Sequence, residues 1–140
     1  MKISTKGRYS LLFMLDMARH DSGEPVKVKD SAARSGVSVK YMEQIVAVLN
    51  KAGFVRSVRG SQGGYLLTRA PAEYTVGEIL RLSEGSLAPV SCLDAGNPCE
   101  KRGQCVTVRL YEEINNAVNG VVDHITLADM LGWENEVPGC

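Results

Sequence analysis

The sequence predicts a mainly α-helical fold with a small β-hairpin: a winged helix-turn-helix DNA-binding domain followed by a long dimerisation helix. Three features of the 140-residue chain lead to this prediction. Two amphipathic segments are separated by a turn at Gly36. A glycine-rich hairpin signal follows, and a long stretch with apolar residues at helical spacing lies nearer the C-terminus. A hairpin directly after a helix-turn-helix is a wing, so the order of the elements predicts the class of fold.

The helix-turn-helix is predicted from its capping residues and its apolar spacing. Ser4 or Thr5 caps a first helix at about 5–20, and a short second helix covers about 28–35. Ser38 then caps a third helix that runs to about residue 51. Its apolar positions recur at helical spacing and are expected to be buried: Met42, Ile45, Val46 and Leu49.

The rest of the chain is divided by further local signals. The turn 59–64 lies between two strands, and Thr75 with Glu78 has the spacing of a capping box at the start of another helix. The strands are expected at 54–58 and 65–68, and the helices at 75–84, 104–124 and 126–131. The predicted organisation is a winged helix-turn-helix domain at 1–70, a connecting helix at 71–85, a cysteine loop at 86–103, a dimerisation helix with a short C-terminal helix at 104–132, and a flexible tail at 133–140.

Charge is distributed very unevenly along the chain. Residues 1–70 contain 12 Lys and Arg against 5 Asp and Glu, a net charge of +7, whereas residues 71–140 contain 4 against 11, a net charge of −7. A basic half joined to an acidic half is typical of a nucleic-acid-binding module attached to an assembling segment. Chance segregation of surface charge is the alternative interpretation.

The N-terminus does not have the pattern of a secretory signal. Its basic residues precede only a brief apolar run that Asp16 interrupts, and no stretch approaches the roughly 20 apolar residues of a membrane span. We therefore expect a cytoplasmic protein with no membrane partner. Thiols stay reduced in that compartment, so the 4 cysteines favour metal binding or redox sensing over a disulfide framework.

The N-terminal end of the third helix is the predicted recognition surface. Residues there enter the major groove in helix-turn-helix proteins, and Gln44 has the amide that pairs with adenine. At the glycine-rich wing tip an arginine suits a narrow minor groove. An ordinary solvated helix face is the alternative. The predicted contacts with double-stranded DNA are Ser38, Lys40, Tyr41, Gln44, Arg56, Arg59, Ser61 and Gln62.

The long helix is predicted to pair with its copy in a second subunit. The short elements around it offer too little surface to cover its apolar stripe, and a two-fold dimer suits a pseudo-palindromic operator. A core helix buried within one chain is the alternative. The stripe consists of Val106, Leu110, Ile114, Val118, Val121 and Val122.

Three cysteines form a candidate metal or redox site in a polar loop. Cys92 and Cys99 are separated by six residues, and Cys99 and Cys105 by five. Iron–sulfur clusters accept varied spacings on loops, whereas zinc sites favour pairs two to four residues apart. Structural cysteines prefer apolar surroundings, which this loop does not offer. The spacing alone leaves four possibilities open: an iron–sulfur cluster, zinc, a thiol switch, or no function.

Several segments of the chain resemble the IscR/CymR/NsrR family of winged-helix transcription regulators. They are the opening 1–9, Tyr41-Met42-Glu43-Gln44, the wing segments 58–60 and 63–67, and Thr126-Leu127-Ala128-Asp129. The resemblance covers residues 1 to about 132 and is nearest to the IscR type. It implies a homodimeric bacterial regulator with a 2Fe-2S cluster on Cys92, Cys99 and Cys105. Regulators of this type often control cluster-assembly genes. The resemblance also implies that Glu43 lies at the recognition surface.

The fourth cluster ligand of the family does not carry over. IscR-type members have a histidine where this chain has Val108, and NsrR-type members use an acidic residue where it has Arg8. The remaining candidates are a group from the other subunit or one of four residues of this chain: Asp94, Glu100, His124 and Cys140.

Two other functions compete with a cluster-dependent regulator. One is a thiol-redox or nitric-oxide responsive regulator without a stable cluster, and the other is a cluster carrier or electron-transfer protein. An enzyme is not expected, and neither is a small-molecule substrate. The sequence shows no Ser/His/Asp set, paired catalytic carboxylates or nucleotide motif, and it contains only 2 histidines.

Overall fold

The computed structural model describes residues 2–94, 96 and 99–136. It confirms the predicted mainly α-helical fold with one hairpin. The helices are α1 (Thr5–Arg19), α2 (Val28–Ser35), α3 (Val39–Lys51), α4 (Val76–Glu84), α5 (Val106–Val122) and α6 (Leu127–Trp133), and the strands are β1 (Val55–Val58) and β2 (Gly64–Leu67). Short 3-10 turns occur at Pro71–Glu73, Ser91–Leu93 and Arg102–Gln104.

The predicted caps are present where the helices begin. The Ser4 side chain accepts a hydrogen bond from the Gly7 amide at α1, and the Ser38 side chain accepts one from the Tyr41 amide at α3. Thr75 and Glu78 form the expected capping box of α4. Such local side-chain acceptors satisfy amides that have no partner inside the helix.

The hydrophobic core surrounds α1. Helices α2, α3, α4 and α6 and strand β2 all contact this helix. Phe13 and Met14 are completely buried, and they share one core with residues of the C-terminal half such as Tyr74, Ile79 and Leu127. The predicted DNA-binding segment 1–70 and the elements that follow it therefore pack as one body around α1.

An ion pair between an exposed arginine and a buried carboxylate fixes α2 against α1. The Arg34 guanidinium donates two hydrogen bonds of 2.8 Å to the carboxylate of Asp16, whose side chain is buried. Burial alone would raise the pKa of Asp16, but the hydrogen bonds and charge of Arg34 outweigh it and lower that pKa. The carboxylate therefore stays ionised and holds α2, the first helix of the helix-turn-helix, in place.

Tyr74 anchors the base of the wing. Its hydroxyl donates to the Phe54 carbonyl at 2.7 Å and accepts from the amides of Thr68 and Arg69 at 2.9 and 3.0 Å. The Arg69 guanidinium lies 4.4 Å from the Tyr74 ring centroid, a cation–π distance. Both ends of the hairpin are thereby tied to the start of α4.

The hairpin is antiparallel, with Val55 opposite Leu67 and Val58 opposite Gly64. Its other edge approaches the segment before α2, where Val26 and Tyr65 exchange backbone hydrogen bonds of 2.9 and 2.8 Å. A Cβ atom at Gly64 would lie 2.4 Å from the Val26 carbonyl oxygen, so only glycine permits this approach.

Helix α5 has much less contact with the rest of the chain. Its C-terminal half packs through Val118 and Val122 on a small cluster of Val76, Leu80 and Leu87. The Arg81 guanidinium on α4 donates to Asn119 and Asp123 there. None of the helices in the described residues is long and apolar enough to cross a membrane.

Several boundaries differ from the sequence prediction by one or two residues, and two of them bear on the cysteine loop and the tail. Helix α5 begins at Val106, two residues later than expected, because Cys105 has an extended backbone with φ −92° and ψ 109°. Helix α6 continues to Trp133, into the segment predicted as a flexible tail. Residues 137–140 of that tail, including Cys140, lie outside the described residues.

Candidate DNA interface and cysteine loop

The N-terminal end of α3 combines a buried face with an exposed polar one. Met42, Ile45, Val46 and Leu49 are buried in the core. Lys40, Glu43 and Gln44 are exposed on the other side of the same helix. The helix is therefore anchored by its apolar face and presents these three polar side chains to solvent.

Tyr41 and Ser38 lie at the same end of α3, and both also stabilise the fold. The Tyr41 ring is half-buried and meets the Tyr9 ring edge to face, with centroids 5.9 Å apart. The Arg8 guanidinium lies 5.7 Å from the Tyr9 centroid. Ser38 is exposed, and its hydroxyl oxygen caps α3. The first turns of α1 thus support the recognition end of α3, a contact that no local sequence signal indicates.

The wing presents its polar residues to solvent. Arg56 on β1 is exposed, and so are Arg59, Ser61 and Gln62 in the turn between the strands. The anchors at Tyr74 and Val26 hold the hairpin beside the helix-turn-helix. Arginine side chains on such a fixed hairpin are suited to phosphate or minor-groove contacts.

The three cysteines lie on the segment that joins α4 to α5. Cys92 is half-buried in the 3-10 turn Ser91–Leu93, Cys99 is half-buried, and Cys105 is exposed immediately before α5. The sulfur atom of Cys105 lies 3.2 Å from the Thr107 hydroxyl oxygen. That hydrogen bond, with backbone amides of the first turn of α5, lowers the pKa of the Cys105 thiol and favours the thiolate.

Arg102 links this loop to α5. Its guanidinium forms an ion pair with Glu112, and this hydrogen bond raises the pKa of Arg102.

The cysteines provide suitable donors, but the structure does not gather them into a metal centre. Across residues 2–94, 96 and 99–136, no group of three or more His, Cys, Asp or Glu side chains is close enough to hold a metal ion. The chemistry of the donor set nevertheless fits an iron–sulfur cluster, since three thiols in a polar segment are accessible to it.

The two positions where the resemblance implies a fourth ligand hold residues that do not bind iron. Val108 is buried as an apolar residue of α5, and Arg8 faces the Tyr9 ring. Three candidates for the fourth ligand lie among the described residues of this chain. The Asp94 carboxylate accepts a hydrogen bond from Ser86, and Glu100 is exposed. His124 follows α5, and its ring forms a hydrogen bond with the Gly120 carbonyl. Cys140 lies outside the described residues.

Comparison with known proteins shows the family. Residues 3–132 match the Rrf2 family, described as an iron-dependent transcriptional regulator. The chain belongs to this family. It is 40% identical over 132 residues to the protein rrf2 of Nitratidesulfovibrio vulgaris, covering 94% of this chain and 87% of that protein. The resemblance to IscR and CymR is confirmed by solved structures of both kinds.

Those two structures are about equally similar to this Rrf2 protein. The structure of CymR, the global cysteine regulator of B. subtilis, is 38% identical with a TM-score of 0.79, covering 95% of this chain and 98% of that one. The T. potens IscR structure is 40% identical with a TM-score of 0.79, covering 100% and 93%. The members of this family are transcriptional regulators. Such regulators act by binding DNA and are not enzymes.

The position of Arg59 leads to a test of the wing. We expect Arg59→Ala to weaken binding to a specific duplex by about 1 kcal/mol or more, roughly fivefold, and to lower the slope of log K against log salt by about 1. The measurement is fluorescence anisotropy across a salt series. Lys51→Ala is the control, because Lys51 is also exposed but lies at the opposite end of α3 from Ser38. Equal slopes for wild type and Arg59→Ala would remove this arginine from the interface.

Proposed function

We propose that this Rrf2 protein is a homodimeric transcription regulator that senses iron–sulfur status through a 2Fe-2S cluster bound by Cys92, Cys99 and Cys105. Its targets would include genes for cluster assembly, and its place of action is the cytoplasm, where promoter DNA is its partner. The observation that carries the proposal is the position of the three cysteines. They lie on one polar segment that directly joins α4, which packs on the DNA-binding core, to α5.

DNA binding is supported by two exposed polar surfaces, the N-terminal end of α3 and the wing. With the N-terminus of α3 in the major groove, Gln44 can pair with adenine, and Lys40 can reach guanine or phosphate. Ser38, Tyr41, Ser61 and Gln62 would add phosphate or base contacts, and Arg56 and Arg59 would follow the adjacent groove. Glu43 would reject bases that present acceptors to it, which gives the surface selectivity as well as affinity.

Dimerisation is supported by the uncovered face of α5. Val106, Leu110 and Ile114 follow one another at four-residue steps and are 89, 57 and 39% exposed. Val121 continues the stripe at 57% exposure. A contiguous apolar stripe of this kind on one helix is typical of a protein interface, and the same stripe on a second copy matches it in length and chemistry.

Leu110→Asp tests the dimer. A carboxylate at the centre of this stripe would be buried without a partner, so we expect the variant to sediment at the mass of one chain, whereas wild type sediments as two. Val39→Asp is the control, because Val39 is 43% exposed but lies at the start of α3. A Leu110→Asp variant that remained dimeric at micromolar concentration would place the interface elsewhere.

The cluster would be held by thiolates of the three cysteines, and a 2Fe-2S group supplies redox activity and sensitivity to oxidants when it is bound. Cys105 precedes the first turn of α5, while Cys92 follows α4 by eight residues. Joining these sulfur atoms at one centre would fix the distance between the ends of the two helices. The state of the loop would thereby bias the arrangement of the dimer.

Anaerobic purification tests the cofactor. We expect visible absorption with about two iron and two sulfide ions per chain, and loss of both in the Cys92→Ala, Cys99→Ala and Cys105→Ala variants. Ser91→Ala, which changes an exposed neighbour of Cys92 in the same turn, should retain them.

Colourless protein that resists anaerobic reconstitution would contradict the cluster. DNA binding that follows cysteine oxidation in iron-free protein would instead support a thiol switch, which the exposure of Cys105 and the likeness to CymR favour as the second candidate. Membership in a family of transcriptional regulators favours both of these functions over a cluster carrier.

A further inference from the structure

Glu84 connects the end of α4 to the beginning of α1. Its Oε1 atom accepts hydrogen bonds from the Ser4 amide at 3.0 Å and from the Ser4 hydroxyl at 2.6 Å. The Ser4 oxygen in turn accepts from the Gly7 amide at 3.1 Å and caps α1. The capping residue of the first helix is therefore held by a carboxylate eighty positions further along the chain.

Gly7 makes room for this carboxylate. A Cβ atom at position 7 would lie 2.2 Å from Glu84 Oε1, far inside van der Waals contact. Alanine is a better helix former than glycine, so helix propensity alone would favour alanine at this position. Gly7 therefore lowers the helix propensity of the first turn of α1 but leaves the space that the Glu84 carboxylate occupies.

The Ser4–Glu84 contact lies between the proposed DNA-binding surface and the cysteine loop. On one side, the first turns of α1 carry Arg8 and Tyr9, and Tyr9 supports Tyr41 at the recognition end of α3. On the other side, Gly85 ends α4 and the chain enters the segment that contains Cys92. Glu84 is the last helical residue before that segment.

We infer that Glu84 is a positioning residue that couples the cysteine loop to the DNA-binding surface. While its carboxylate is seated on Ser4, the first turn of α1 is capped and Tyr9 is held against Tyr41. A rearrangement of the loop that pulls on Gly85 withdraws the carboxylate, uncaps α1 and loosens that support. The inference rests on the proposed function, since it assumes that the loop is the sensing element.

Coupling between two sites is reciprocal in binding free energy, so DNA that binds more tightly to one arrangement of the loop should shift the loop toward that arrangement and change the exposure of its thiols. This permits a test that needs no cluster. Iron-free, reduced protein is treated with iodoacetamide, with and without a saturating duplex that the wild-type protein has selected from a random DNA library. Peptide mass spectrometry then gives the alkylation rates of Cys92, Cys99 and Cys105 separately.

For wild type we expect the duplex to change at least one of these rates by about fivefold or more, a typical allosteric coupling. Glu84→Ala should reduce the change to less than about twofold. Glu84→Gln, which keeps an oxygen acceptor for the Ser4 amide, should restore part of it. Glu24→Ala should behave as wild type, since Glu24 is an exposed acidic residue in the loop before α2.

A second variant approaches the same contact from α1. Gly7→Ala would displace the Glu84 carboxylate and should abolish the coupling as Glu84→Ala does. In the double variant the coupling should stay at the same low level, because the carboxylate that an alanine at position 7 would displace is already absent. Melting temperatures of all variants identify loss of fold separately from loss of coupling.

Two results would overturn the inference. The first is a duplex-dependent change in Glu84→Ala equal to that in wild type, as direct shielding of the loop by DNA would give. The second is a wild-type protein whose alkylation rates do not respond to the duplex. Neither result touches the proposed function, which is decided by the iron and sulfide content of the anaerobic preparation.

Discussion

The burial of α1 is the constraint on which the rest of this molecule depends. Phe13 and Met14 are completely inaccessible, and four helices and one strand contact the helix. Close-packed interiors transmit displacement because they have no space to absorb it. The helix-turn-helix is fixed to α1 by Asp16 and Arg34, and α4 is fixed to it through Glu84. Helix α1 therefore connects α4 with the helix that carries the proposed recognition residues.

The chain separates a well-anchored candidate DNA surface from a weakly packed cysteine segment. The exposed residues of α3 and the wing lie on elements with buried anchors, so their relative spacing is set by the fold. The cysteine segment has short 3-10 turns, half-buried or exposed sulfur atoms and an ion pair between Arg102 and Glu112. Such a segment can change its arrangement at low cost in free energy, while the core it is joined to cannot.

Local signals predicted much of the fold, and long-range contacts account for what they missed. Ser38 and Thr75 act within three residues of their partners, so the starts of α3 and α4 were readable from the sequence. The Tyr9–Tyr41 and Ser4–Glu84 contacts join distant positions with no shared periodicity, and a single sequence carries no signal for them. The later start of α5 follows from the extended backbone of Cys105, which sequence patterns place poorly.

The sequence indicates the three cysteines by their polar surroundings, but it does not identify a fourth ligand for the proposed cluster. Val108 and Arg8 occupy the positions where the resemblance to IscR-type and NsrR-type members implies a fourth ligand, and no pattern in this chain selects a replacement. The structure adds that Asp94 is engaged with Ser86, while Glu100 is exposed. Ligand identity depends on which groups a folded loop brings within bonding distance, and spacing along the chain does not determine that.

The most direct test of a sensing loop is the affinity for one duplex before and after iron is removed from the same anaerobic preparation. The dissociation constant should change by about fivefold or more, while the sedimenting mass stays that of a dimer. Reconstitution with iron and sulfide should return it to its first value. Identical dissociation constants in the loaded and emptied states, measured on several selected duplexes, would contradict a sensing role for the loop and leave the protein as a DNA-binding dimer without this input.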